Sequence, residues 1–259
     1  MNDFSFNGEF SWEIIEHIPK VYEAHLNKTL NKSVGCYKTK PFYFFTNKHE
    51  EILDHRQSGG GSNSLYGYDY DISSNKFPPY KEYYSLLAKK IGISFDKPLV
   101  VINNKSIEEW GRSTNINRIE IEDLSAIVDF HKDFYIFYIR GEIGSSFPDN
   151  TNNIKFEDKE FMSNFKNVYT DKFLEKEWGL DFNTTQLICH SLSKKHFSVA
   201  GGNAVLASLF GGTNFIFGNS PEVNSRLVWH TDSYLSKISN TKIIGIEKTK
   251  DLTKALNEN

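Results

Sequence analysis

Residues 196–218 read HFSVAGGNAVLASLFGGTNFIFG, and this stretch decides the fold. It opens on a strand pattern at 196–199, turns through Ala200-Gly201-Gly202-Asn203, continues as an apolar helix at 204–210, and closes on Gly211-Gly212 before a strand at 214–217. A strand that passes through paired glycines into a buried helix and returns to a strand is the repeating unit of a parallel α/β sheet. The second glycine pair supplies the left-handed cap that ends such a helix. The first pair suits a phosphate, because glycine admits close backbone approach, the first helical amides lack intrahelical acceptors, and the helix dipole favours an anion at that end. Ser198 and Asn203 would add side-chain hydrogen bonds. Tight packing of a helix on a strand explains the same turn equally well. Neither GxxxxGK[ST] nor GxGxxG occurs in the chain, so neither a P-loop nor the standard dinucleotide fingerprint is supported.

The alternation extends outward from this unit. Upstream, Leu99-Val100-Val101-Ile102 reads as a central buried parallel strand, followed by a helix at 121–131, a strand at 134–140, a helix at 156–164 and a short strand at 167–169. Asn183-Thr184-Thr185-Gln186 resembles a capping box opening a helix through Leu192. Downstream, a strand is expected at 242–246 and a helix at 250–256. Nearer the start, a strand at 3–6 turns through Asn7-Gly8-Glu9 into a helical pattern with apolar Trp12, Ile15, Ile18, Tyr22 and Leu26. Pro19 predicts a kink or break near Ile18. A further strand is expected at 42–46 and a helix at 81–90. Between Asp54 and Pro79 the chain carries three consecutive glycines, five serines and Pro78-Pro79 without helical period, which reads as a long mobile loop. The expected organisation is an N-terminal domain at 1–96 and a C-terminal domain at 97–259.

The 259 residues are 39% hydrophobic and 24% charged, which excludes a disordered tail and leaves room for one large domain or two modest ones. The formal charge of −3 gives no bulk attraction for nucleic acid or an anionic membrane, so any anionic ligand is held locally. Two cysteines, Cys36 and Cys189, are too few for a disulfide framework or a cysteine zinc site. No stretch approaches the roughly 20 apolar residues of a spanning helix, and the opening residues lack a signal-peptide pattern, so a cytoplasmic location is expected.

The unit at 196–218 resembles the donor-binding segment of heptosyltransferase-like glycosyltransferases of the GT-B fold, and also that of related glycosyltransferases of bacterial surface polysaccharide and large-virus genomes. Asn7-Gly8-Glu9-Phe10-Ser11-Trp12-Glu13 is similar to the opening glycine-acidic turn of such enzymes. The resemblance implies two Rossmann-like domains, the N-terminal one reduced, and a base at Glu9. It also implies a carboxylate on the donor ribose at Glu222. The donor turn departs from the family's Asp-Ser/Thr-Gly with a following His, since Val199-Ala200-Gly201-Gly202-Asn203 stands there.

Independently, Glu9 falls at the carboxyl end of the first strand, where open α/β sheets place ligands, and a carboxylate there is able to take a hydroxyl proton. Glu9 and Glu13 also suit the first helical turn as dipole partners. Trp12 is either core or an acceptor-side stacking platform. Asn104 and Lys105 follow the strand at 99–102, and Arg140 follows the strand at 134–140, so both cations are expected at one sheet edge, where they would grip a diphosphate. Glu109-Trp110-Gly111 lies beyond. Asp69-Tyr70-Asp71 spells a short D-x-D, but it sits in the 54–79 loop, and no metal or other cofactor is expected. His190 reads as structural. The expected function is metal-independent glycosyl transfer from a nucleotide sugar, held by Asn104, Lys105, Arg140, Ser198, Gly201, Gly202, Asn203 and Glu222, to a saccharide acceptor. The alternatives are a non-catalytic nucleotide- or carbohydrate-binding protein and a sugar-nucleotide epimerase.

Overall fold

A computed structural model describes residues 1–56, 75–108, 116–140, 155–218, 234–238, 240–247 and 249–259. The chain forms two compact units, one within residues 1–79 and the other within 80–141 and 151–259.

The first unit runs β1 (Asn2–Ser5), α1 (Phe10–Trp12), a π-helical turn (Glu13–His17), α2 (Ile18–Leu26), β2 (Leu30–Cys36), a 3-10 turn (Lys40–Tyr43) and β3 (His49–Leu53). Its three strands are parallel in the order β1-β2-β3. No break forms at Pro19: the helix runs on from α1 through the π-helical turn into α2, and the irregularity that accommodates the proline is that turn. The Ile15 carbonyl, four residues before the proline, accepts instead from Asn75 Nδ2 at 3.0 Å. The strand expected at 42–46 is not formed. Pro41 starts the 3-10 turn there, and Phe42 and Tyr43 are both fully buried in succession, which a one-sided strand does not permit. The strands are the more polar segments on either side. Between them His49 stacks on Tyr43 at 3.6 Å, with Ser33 Oγ 3.0 Å from Nδ1 and Thr39 Oγ1 3.0 Å from Nε2. Gly35 makes room for that ring, since a Cβ there would lie 2.8 Å from His49 Cε1.

The second unit contains α3 (Tyr80–Lys90), β4 (Leu99–Asn103), the short antiparallel pair β5 (Ile107–Glu108) and β6 (Ile116–Asn117), α4 (Ile121–Phe130), β7 (Tyr135–Ile139), α5 (Asp158–Ser163) and β8 (Val168–Thr170). It continues through α6 (Asp171–Trp178), α7 (Phe182–Leu192), β9 (Lys195–Val199), α8 (Gly202–Ser208), β10 (Thr213–Phe217), β11 (Lys242–Ile246) and α9 (Thr249–Glu258). The units divide at Pro79, earlier than the boundary expected at 96, because α3 is fastened to the second unit. Lys81 Nζ donates to the Phe210 carbonyl at 2.8 Å and Ser85 Oγ to that of Ser191 at 3.2 Å.

The six-stranded sheet has the order β11-β10-β9-β4-β7-β8 with every pairing parallel. Starting from β4, the chain lays β7 and β8 on one side and returns to place β9, β10 and β11 on the other. This is the doubly wound order, with its reversal between β4 and β9. Both faces of β4 are covered. Val100 and Ile102 pack with Ile136, Phe197, Val199 and Phe215, while Leu99 and Val101 pack with Phe137, Leu174 and Cys189. Two apolar faces on one strand explain why its sequence is a continuous apolar run rather than an alternation. Each such aliphatic side chain contributes about 1.5–3 kcal/mol on burial.

Two local expectations shift. The cap of α7 is Asp181, whose carboxylate accepts from the Thr184 amide at 3.0 Å, while Asn183 lies inside the helix and accepts from Gln186 Nε2 at 2.5 Å. Helix α6, unread in the sequence, is capped by Thr170 and ends at Gly179 in the left-handed conformation. Gly211 and Gly212 end the α8 segment with φ of 70° and 77°, as their pairing predicts.

At Gly212 a Cβ would lie 2.3 Å from the Lys194 carbonyl oxygen. Gly212→Ala is therefore expected to lower stability by about 2 kcal/mol or more, from steric overlap and backbone strain together, read as a fall in the urea midpoint. A second expectation concerns pH. Burial lowers the pKa of His17, His49, His131 and His196 to about 4. Unfolded imidazoles take up protons near 6.5, so below that pH the unfolded state binds more protons than the native state, and stability falls as pH drops from about 6.5 to about 4. Melting curves across this range check the sign, and replacing His49 by Gln should flatten the slope.

Candidate functional site

The carboxyl ends of β4 and β9 flank the point where strand order reverses, the place where open α/β sheets leave a crevice. Asn103, Asn104 and Lys105 leave β4 there, and Ala200 to Asn203 leave β9. The turn after β9 is fixed from both sides, as the Ala200 amide donates to the Phe217 carbonyl at 2.8 Å and Asn117 Nδ2 to the Ala200 carbonyl at 3.3 Å. Gly201 has φ of 122°, and a Cβ on it would lie 3.0 Å from Lys105 Nζ. The backbone conformation calls for a glycine, and the Lys105 ammonium lies close over it. The Gly201 carbonyl accepts from the Ala204 and Val205 amides at 3.1 and 3.2 Å. The amides of Gly202 and Asn203, the first of α8, have no acceptor among the described residues. Lys105 and the first amides of α8 place positive charge and donors on the same edge, a combination that suits an anion.

Asn104 belongs to the framework of this edge and does not face a ligand. It is 1% exposed; its Oδ1 accepts from the Lys105 and Ile119 amides, each at 2.9 Å, and its Nδ2 lies 3.0 Å from Tyr138 Oη and 3.2 Å from Asp158 Oδ2. Tyr138 Oη also donates to Asp158 Oδ2, and burial together with that carboxylate pushes the phenol well above its ordinary pKa. Arg140 Nε is buried 3.1 Å from the same Oδ2. Arg140 and Lys105 therefore stand on loops tied to one buried network.

Ser198 is likewise corrected. It is fully buried and donates to Asn214 Oδ1 at 2.7 Å, while Asn214 Nδ2 reaches the Ala204 carbonyl at 3.1 Å and Ser208 Oγ at 3.2 Å. Its hydroxyl ties β9 to β10 and α8 beneath the turn, leaving none of its bonding for a phosphate. His190 is fully buried and stacked on Phe210, as its structural reading requires. Glu222, the 109–111 segment and the Asp69-Tyr70-Asp71 motif lie outside the described residues.

In the first unit Glu9 precedes α1 with its backbone extended, and its carbonyl accepts from the Trp12 and Glu13 amides, each at 3.1 Å. Its side chain makes no cap bond, is partly exposed, and has no hydrogen-bond or ion-pair partner among the described residues. Glu13 differs completely. It is fully buried, accepting from Tyr43 Oη at 2.8 Å and pairing with Arg56 Nη2, while Arg56 Nη1 donates to the Gly8 carbonyl at 2.7 Å. The two acidic residues that sequence placed together on a first turn are thus one available carboxylate and one internal anchor. Trp12, at 3% exposure, is core and offers no face for a sugar, which corrects its acceptor-side assignment.

Sequence reading missed Arg56, Tyr138, Asp158 and Asp171. Arg56 opens a Gly/Ser-rich segment, Tyr138 sits in an apolar strand, and the two aspartates start helices, where an acidic residue ordinarily means only a favourable dipole contact. Asp171 follows β8 and is 1% exposed, with Lys159 Nζ 3.9 Å away. Burial pushes its pKa up to about 6. Between about pH 4 and 6 the native state holds this proton and the unfolded state does not, so ionising Asp171 lowers stability as pH rises through that window. Asp171→Asn should therefore raise the melting temperature at pH 7, and the gain should vanish near pH 4. Among the described residues no three His, Cys, Asp or Glu side chains are grouped to hold a metal ion, and no helix is long and apolar enough to cross a membrane.

The fold is similar to that of two solved glycosyltransferases. ADP-heptose lipopolysaccharide heptosyltransferase II of E. coli aligns over 100% of this chain and 99% of its own, with a TM-score of 0.55 and 8% identity. A family 9 glycosyl transferase from Veillonella parvula aligns over 99% of this chain and 88% of its own, with a TM-score of 0.51 and 9% identity. At such identities the likeness is one of fold, an α/β chain with parallel sheets like those of GT-B glycosyltransferases. No family model matches the chain, and no curated protein matches it by sequence.

Proposed function

We propose that this protein transfers a sugar from a nucleotide-activated donor to a saccharide acceptor. The observation that carries the reading is the placement of Lys105 Nζ against Gly201 at the strand-order reversal, beside two helical amides with no acceptor among the described residues. That arrangement suits the diphosphate of a nucleotide sugar, and the likeness in fold to a heptosyltransferase whose donor is ADP-heptose supports the class. In this reading Lys105, Arg140 and the amides of Gly202 and Asn203 bind the diphosphate and stabilise the charge that develops on it as the glycosidic bond breaks. They supply positive charge and donors without a metal ion. Glu9 takes the proton of the acceptor hydroxyl as its oxygen attacks the anomeric carbon, and the nucleoside diphosphate leaves.

Calorimetry and thermal shift with nucleoside diphosphates and nucleotide sugars, with and without magnesium, test the donor half. Saturable binding independent of magnesium and weakened about tenfold or more by Lys105→Ala is expected, since a charge-assisted contact is lost. No binding to any of them overturns the reading. For the acceptor half, Glu9→Gln is expected to lower turnover by about a hundredfold or more with donor affinity unchanged. An equal loss of donor affinity removes Glu9 from the role of base.

A further inference from the structure

The Arg140 guanidinium is held by one side only. Its Nε is buried 3.1 Å from Asp158 Oδ2, an ion pair without hydrogen-bond geometry, and no described residue accepts a hydrogen bond from the guanidinium. Asp158 is fully buried at the first position of α5, and the oxygen that faces Arg140 also takes the Tyr138 hydroxyl and Asn104 Nδ2. Through Oδ1, Asn104 in turn fixes the amide of Lys105. One carboxylate therefore stands behind both cations of the sheet edge, touching the first through its ion pair and the second through Asn104.

From this we infer that Asp158 is the positioning residue of a two-cation diphosphate clamp. It orients the Arg140 fork for bidentate contact and, through Asn104, sets the Lys105 backbone beside the glycine turn. This inference rests on the proposed donor reading and adds a residue that does not itself touch the ligand. The chemistry follows from the shape of arginine. Its five donors lie in one plane, so a buried carboxylate paired on the Nε side draws that edge of the fork inward and leaves the Nη pair directed away, toward two phosphate oxygens. An arginine without that support loses more side-chain freedom when it binds. Burying a carboxylate is costly unless it is paired and hydrogen-bonded; Tyr138, Asn104 and the Arg140 ion pair offset that cost at Oδ2 alone, and the buried Oδ1 has no hydrogen-bond partner among the described residues. Packing alone would be served by an apolar residue at the start of α5.

The test is a double-mutant cycle on diphosphate affinity, with ADP, UDP and inorganic pyrophosphate titrated calorimetrically into wild type, Asp158→Asn, Arg140→Ala and the double variant. Asp158→Asn should weaken binding about tenfold, and in the Arg140→Ala background the same change should matter markedly less, about threefold, because only the part that acts through Asn104 on Lys105 remains. Tyr138→Phe, which leaves the ion pair in place, is the milder companion should Asp158→Asn fail to fold. It is expected to weaken binding about threefold and to lose that effect in the same background. Losses that simply add, or an Asp158→Asn protein that binds like wild type, overturn the positioning role while leaving the donor site standing. Wild type that binds none of the three probes overturns the donor reading and this inference with it.

Discussion

Everything in the second unit depends on β4 being hydrogen-bonded along both edges and buried on both faces. A strand so enclosed has no route to solvent except at its ends, and the chain must build outward from it in two directions. The reversal this imposes separates the connections leaving β4 and β9, and among the described residues Lys105 and the glycine turn meet there. Thr170 caps a helix and Ser198 bonds to Asn214, so these polar groups are consumed by the fold.

The first unit shows a second use of buried charge. Glu13 sits at the centre of a chain of contacts from the Gly8 carbonyl through Arg56 to Tyr43, whose ring covers His49. Removing one partner of such a pair leaves an uncompensated charge in the interior, which is why these contacts hold their geometry collectively. The turn that carries Glu9 is fastened to this chain by its backbone. The Glu9 carboxylate is left out of it.

Much of the sheet was legible because burial writes itself into the sequence. Leu99 to Ile102 is a continuous apolar run, β10 and β11 are nearly so, and Gly211-Gly212 marks the helix end that it forms. The strands β2 and β3 were not legible, since NKS and HEE dominate two short segments whose pairing comes from their neighbours, while the aromatic run at 42–46 earned its burial in a 3-10 turn. The site divided along the same line. Backbone features, such as the glycine turn and the lysine after β4, announce themselves by residue type. Whether Ser198 or Asn104 faces a ligand or the interior depends on its partner elsewhere in the fold, here Asn214 on β10 and Asp158 on α5, and no local pattern encodes residues that distant in the chain.

The π-helical turn at Glu13–His17 is equivalent to one extra residue accommodated within an α-helix. Each residue of an α-helix advances the chain by about 100° of rotation. The insertion therefore sets the azimuth of everything before it relative to α2, including the turn that bears Glu9. A shortening by one residue that restored regular α-geometry would keep the helix and swing that carboxylate to a different face. The aim of the acidic residue thus depends on how many residues lie between it and Pro19 as well as on the Glu13 anchor among them.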